Sequence, residues 1–294
     1  MTASAPPEAD TVPGVAPDLV IDDVDVFIDG RGEHTLLMVH GWPDTPALWD
    51  ATVAELAPHF RCVRFHLPGF DLVKGVRPAS LDELSTLMRR IADAVSPEQP
   101  VTLVLHDWGC AFGYEFAARH RERVARVVGV DIGDHNSRDY LGGLNLREKL
   151  MIAGYQLWLA VAWKLGPHLP GLANRMTRWM ARTIGCRNDP QLIGWEMNYP
   201  YAMGWFKAYG GLHGMAPVRK LMGESLPGLF IYGRRKPFMF HSDAWVRHLG
   251  RQPGCAARGL EAGHWLMKQK PAEFNDLVKS WLLGEPADQP RPKA

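Results

Sequence analysis

The sequence predicts an α/β protein: a mostly parallel central sheet with helices on both faces and an inserted helical cap. Three observations carry this expectation. Short apolar runs at residues 24–28, 36–39, 62–65, 102–105, 127–130 and 229–231 alternate with helical stretches, and strands separated by helices need right-handed crossovers and so lie parallel. Residues 135–225 break the alternation, being almost strand-free and holding Trp158, Trp163, Trp179, Trp195 and Trp205. Finally, the residues best suited to chemistry follow directly after apolar runs, at Trp42, Asp107 and Asp131, where parallel sheets collect their sites.

The expected organisation is an N-terminal disordered tail over residues 1–20, a core assembled from 21–134 and 226–285, the helical cap at 135–225 and a C-terminal tail at 286–294. The first twenty residues are rich in Ala, Pro, Asp and Glu and lack the basic-then-apolar pattern of a secretion signal. A length of 294 residues with 46% hydrophobic content suits one large core plus an insert, and a net charge of +1 gives no bulk bias towards nucleic acid or membrane. A small neutral apolar substrate and water are the expected partners, with no cofactor and no metal. Cys62, Cys110, Cys186 and Cys255 share no C-x-x-C spacing, so a reducing cytoplasm is the default location. Cys110 is expected as a small core thiol.

Charge is uneven along the chain. In residues 135–225, eleven Lys and Arg stand against five acidic side chains, a local net of +6. Within that segment residues 150–163 are the most apolar stretch, too short to span a bilayer. A buried cap helix lining a dry pocket is expected there, with a weak interfacial membrane contact or a dimer face as alternatives. Lys149 and Lys164 at its ends suit the interfacial one.

The run VTLVLHDWGCA at residues 101–111 takes an apolar strand into a residue followed by X-Gly and then into a helix, the strand-turn-helix context of a nucleophile elbow whose usual residue is serine. Here it is Asp107. A carboxylate is already anionic at pH 7 and can attack a saturated carbon bearing a leaving group. The product is an alkyl ester of Asp107 that water must cleave. His264, in the run Gly263-His264-Trp265 ahead of a closing helix, is the candidate general base. The loop His40-Gly41-Trp42-Pro43 follows an apolar strand and can aim backbone N–H groups at an oxyanion, with Trp42 and Trp108 as donors. His40 is expected to be structural. A third group must hold the His264 ring. Asp131, at the end of the run VARVVGV, is assigned that role, with Asp134 in reserve.

These residues resemble the α/β-hydrolases with an aspartate nucleophile: haloalkane dehalogenases, epoxide hydrolases and haloacetate dehalogenases. The resemblance covers residues 21–283 and is strongest from 101 to 131. His106-Asp107-Trp108-Gly109, preceded by Leu105, is most similar to haloalkane dehalogenases, whereas His40-Gly41-Trp42-Pro43-Asp44 is similar to epoxide hydrolases. The α/β-hydrolase fold is thereby implied. In many of its members the acid follows the strand after the cap, but that place holds Arg234-Arg235-Lys236-Pro237, and Lys236 is expected to matter little. An acid at Asp131 is similar to one dehalogenase subfamily, which usually carries Asn at the place of Trp42, and to the haloacetate enzymes. The arginines with which the latter hold a carboxylate are replaced by Trp108 and Ala111. Two sets of leaving-group donors are implied: indole N–H groups of Trp108, Trp42 and Trp158 for a halide, or hydroxyls of Tyr155, Tyr199 and Tyr201 for an epoxide oxygen. Carbon–halogen cleavage is the first expectation, epoxide opening the alternative, and a non-catalytic small-molecule binder the remote third.

Overall fold

In the computed structural model the described residues are 16–284. Both expected tails fall largely outside them. Leu19 and Val20, placed by the sequence in the N-terminal tail, instead begin the strand β1 (Leu19–Ile21), which hydrogen-bonds as an antiparallel edge to β2 (Val24–Asp29). Its three residues are too few to show a period, which is why its composition read as tail.

The chain continues through β3 (Thr35–Val39), α1 (Asp50–Leu56), β4 (Arg61–Phe65), α2 (Leu81–Val95), β5 (Val101–His106), α3 (Trp108–Arg119) and β6 (Val124–Val130). The helices α4 (Arg138–Gly143), α5 (Leu146–Leu165), α6 (Pro170–Thr183), α7 (Tyr199–Phe206) and α8 (Val218–Leu221) then intervene before β7 (Gly228–Gly233), α9 (Asp243–Leu249), β8 (Ala256–Leu260), α10 (Leu266–Gln269) and α11 (Pro271–Leu283). One eight-stranded sheet results, in the order β1-β2-β4-β3-β5-β6-β7-β8. Strands β4 to β8 and β3 run parallel, and β2 meets β4 antiparallel.

The central strands β3 and β5 are buried along their whole length. That is the signature of parallel strands covered on both faces, and it explains why they read as continuous apolar runs rather than alternating ones. Strand β8, with the sequence AARGL, escaped the sequence reading because an edge strand that is half-buried carries no such run. Among the described residues no helix is long and apolar enough to cross a membrane.

The β5–α3 turn is closely packed. Asp107 sits there at φ 52° and ψ −123°, a conformation an L-residue holds only when its surroundings impose it. Two glycines let the neighbouring loop approach. A Cβ on Gly109 would lie 2.4 Å from the carbonyl oxygens of both Val39 and His40, and one on Gly41 would lie 2.5 Å from Cβ of Asp107. Gly109→Ala is therefore expected to lower stability by about 1–3 kcal/mol through overpacking against backbone, readable as a lower midpoint in chemical denaturation. An unchanged midpoint would mean that the loop and the elbow are not in contact.

Candidate active site

Two strand ends and one loop bring the candidate residues together. Asp107 follows β5, Asp131 follows β6 at φ 70°, and His264 lies in the loop after β8. His264 Nδ1 donates to Asp131 Oδ2 at 2.5 Å, and its Nε2 faces Asp107 Oδ2 at 3.4 Å. The other oxygen of Asp107 accepts the backbone N–H of Trp42 at 2.7 Å, and the backbone N–H of Trp108 also serves this carboxylate. One carboxylate oxygen is thus held by the amide hole while the other faces the imidazole.

The second oxygen of Asp131 accepts Gly233 N–H at 3.0 Å and Lys236 Nζ at 2.5 Å. Lys236 was expected to matter little; it is instead buried and ion-paired with the innermost carboxylate. Its position three residues past β7 is visible in sequence, but the pairing depends on strand order and loop path, which no local pattern encodes. Asp134, held in reserve as the acid, faces away. Its carboxylate accepts from Ser137, Ser242 and Arg219 at 2.7–3.2 Å, which makes it the anchor of the segment leaving β6.

Burial alone would lower the His264 pKa, but hydrogen bonds and charges from Asp107 and Asp131 outweigh it and raise it to about 9. For Asp131 the desolvation cost is outweighed by Lys236 and then His264, and its pKa falls below the usual carboxylate range. Asp107 is lowered too, with burial outweighed by the His264 hydrogen bond. His106 lies beneath this group, its ring nitrogen 3.1 Å from the His264 carbonyl, and burial drops its pKa to about 3. His40 is likewise neutral, its pKa lowered to about 3 by burial. It accepts Leu67 N–H and bonds the Gly41 carbonyl, so it fixes the oxyanion loop. Asp44 ties that loop to Trp265 Nε1 at 2.8 Å and to Asn188 at 2.8 Å.

Two cavities meet at Asp107. One of about 380 Å³ is bounded by Trp108, Ile132, Leu144, Ile152 and other mostly apolar side chains, and the second, of about 660 Å³, runs past His264, Lys236 and Met180. Tyr155, Tyr201 and Phe240 line both. Tyr201 packs edge-on to Trp42, Trp108 and Tyr155, at centroid distances of 5.6, 5.3 and 6.1 Å.

Three expected pocket residues do not serve as donors there. The Trp42 indole N–H is spent on Asn198 Oδ1 at 2.8 Å, although its backbone N–H is in the site. Trp158 bonds the Met176 carbonyl at 3.0 Å, packs on Trp179 and lines neither cavity. Tyr199 is buried against Phe70, Trp163 and Tyr209 and lines neither cavity. For Trp158 and Tyr199 the helix face set by tertiary packing decided the direction, and for Trp42 the bond to Asn198 did; residue type did not reveal either.

Residues 34–207 match the family described as the alpha/beta hydrolase fold, and the chain belongs to that family. It is 24% identical over 267 residues to Epoxide hydrolase 1 of Caenorhabditis elegans, covering 84% of this chain and 64% of that protein. A shorter stretch of 107 residues is 35% identical to a haloalkane dehalogenase of Mycolicibacterium smegmatis, covering 35% of this chain and 34% of that protein. The chain thus spans less than two thirds of the length of each of these two relatives. The crystal structure of an epoxide hydrolase from Bacillus megaterium in complex with an inhibitor superposes with a TM-score of 0.65 at 19% identity, covering 88% of this chain and 96% of that one. That likeness is one of fold.

The pKa shifts translate into a pH profile of stability. His264 is raised from 6.5 to about 9, so its contribution is complete below pH 6.5 and is lost as pH rises through about 9. Asp107 and Asp131 are lowered, so theirs is complete above 3.8 and is lost on acidification. The melting temperature is expected to fall between pH 6.5 and 9, and His264→Gln should flatten that alkaline limb. Parallel alkaline falls in both proteins would contradict the His264 pairing.

Proposed function

We propose that the chain is a hydrolase that opens small neutral apolar epoxides through a covalent ester on Asp107. The observation that carries this reading is that Tyr155 and Tyr201 line both cavities alongside Asp107, while the Trp42 and Trp158 indoles that a halide would need are engaged elsewhere. The order drawn from sequence, with carbon–halogen cleavage first, is thereby reversed.

Burial pushes both tyrosine hydroxyls above their ordinary pKa, and the charge of Asp107 adds to this. Each therefore stays a neutral O–H donor beside the nucleophile. In the proposed first step, Asp107 Oδ2 attacks a ring carbon, the carbon–oxygen bond opens, and the departing oxygen takes a proton from a tyrosine. Oδ1, held by Trp42 N–H, becomes the ester carbonyl. In the second step His264 removes a proton from water, and the hydroxide adds to the ester carbonyl carbon. The N–H groups of Trp42 and Trp108 hold the resulting oxyanion. Collapse releases the diol, whose oxygen is protonated by the imidazolium, and the proton left on the Asp107 carboxyl passes back to His264, which restores the anionic Asp107 and the protonated imidazole.

The charges suit this sequence. In the free enzyme the row Asp107, protonated His264, Asp131 and Lys236 sums to zero. Alkylation removes the anion that helps to raise His264, so the imidazole gives its proton back to the tyrosinate left by ring opening and is free when a base is needed. Lys236 then balances Asp131, and the row is again neutral.

His264→Gln is expected to form the ester and stall, giving a substrate adduct on the Asp107 peptide by mass spectrometry; normal turnover would contradict the assignment of the base. Lys236→Met should leave the alkylation burst intact and move the acid limb of ester hydrolysis up by about one pH unit, because an uncovered Asp131 holds the proton on His264. Tyr155→Phe or Tyr201→Phe should lower diol formation by about 10²-fold. A dehalogenase remains the second reading, favoured by the 35% identity over 107 residues and by Trp108 on the cavity wall. Halide release from bromoalkanes without diol formation from any epoxide would turn the assignment to it.

A further inference from the structure

We propose that the outer face of helices α5 and α6 seats the protein on an anionic lipid surface. This rests on neither the cavities nor the chemistry assigned to Asp107.

A helix that is apolar all round is ordinarily buried, yet α5 is not. Its sequence LREKLMIAGYQLWLAVAWKL leaves Leu146 73% and Leu150 64% exposed, with Leu157, Trp158 and Val161 continuing the same stripe. The opposite side of the helix, through Ile152 and Gln156, lines the cavity at Asp107. The stripe extends onto α6. Trp158 packs on Trp179 with centroids 5.1 Å apart and bonds the Met176 carbonyl, and Trp179 is itself 55% exposed. Leu172, Arg175, Trp179 and Arg182 follow one another on the exposed face of α6.

Charge identifies the occupant. Helices α5 and α6 carry Arg147, Lys149, Lys164, Arg175, Arg178 and Arg182 against one acid, Glu148, and that carboxylate is turned back to cap the Asn145 N–H at 2.8 Å. A second copy docked on this face would set cation against cation. An anionic bilayer supplies both the apolar layer for the leucine and tryptophan stripe and the counter-charge for its rim. With a cavity on its inner side, α5 would then stand between the site and the lipid in which an apolar substrate dissolves.

The test is co-sedimentation of the full chain with phosphatidylcholine vesicles, with and without phosphatidylglycerol. Binding is expected only to the anionic vesicles and should weaken with salt. Leu150→Asp with Trp179→Asp should abolish it. Arg175→Gln with Arg182→Gln should weaken it by about 20-fold, while the exposed Arg251→Gln on another face should not. All three variants should keep the parent's melting temperature and its turnover of a water-soluble substrate. Absence of binding, or equal binding by the α5–α6 variants, would overturn the proposal. So would concentration-dependent dimerisation in lipid-free buffer that the same variants abolish, because the occupant would then be a second copy.

Discussion

A buried row of four charged groups, Asp107, His264, Asp131 and Lys236, is the interaction on which the rest of the structure depends. Two carboxylates that close would repel, and each would take up a proton, were it not for the imidazolium between them and the ammonium behind. The spacing is fixed by contacts of 2.5 Å on both sides of Asp131 and 3.4 Å between imidazole and Asp107. Holding it requires the ends of three adjacent parallel strands, β5, β6 and β7, and the loop after β8. The positive φ at Asp107 and Asp131 is the local cost of turning both carboxylates to the same side of the sheet.

The helical segment between β6 and β7 completes what the sheet cannot supply. Backbone N–H groups of the β3 and β5 turns hold the charge on Asp107. Tyr155 on α5 and Tyr201 on α7 line the same cavities and are the donors proposed for a leaving oxygen. Their neutrality follows from the same dry surroundings that strengthen every charge in the row. The Trp42 indole, fixed by Asn198, gives Tyr201 a rigid edge to lean on.

Much of this was legible in the sequence, and the boundary is physical. Asp107 could be read because strand, X-Gly and helix are local. His264 could be read because Gly-His-Trp precedes an amphipathic closing helix, and Asp131 because it ends the strand that follows. The parallel sheet was legible from buried apolar runs, whereas the edge strands β1, largely exposed, and β8, half-buried, left no such trace. The pairing of Lys236 with Asp131 was not legible because it depends on which strands are neighbours. Trp158 and Tyr199 were misjudged because helix rotation, set by packing among α5, α6 and α7, decides whether an aromatic faces a cavity or a neighbour.

The ester on Asp107 is the centre of this account, and isotope placement tests it most directly. In a single turnover with enzyme in excess and water enriched in ¹⁸O, the label should enter the Asp107 carboxylate, and the diol should leave carrying unlabelled oxygen from Asp107. Label appearing in the diol of that first turnover, with none on the Asp107 peptide, would mean that water attacks the substrate directly and that the carboxylate is a base rather than the nucleophile.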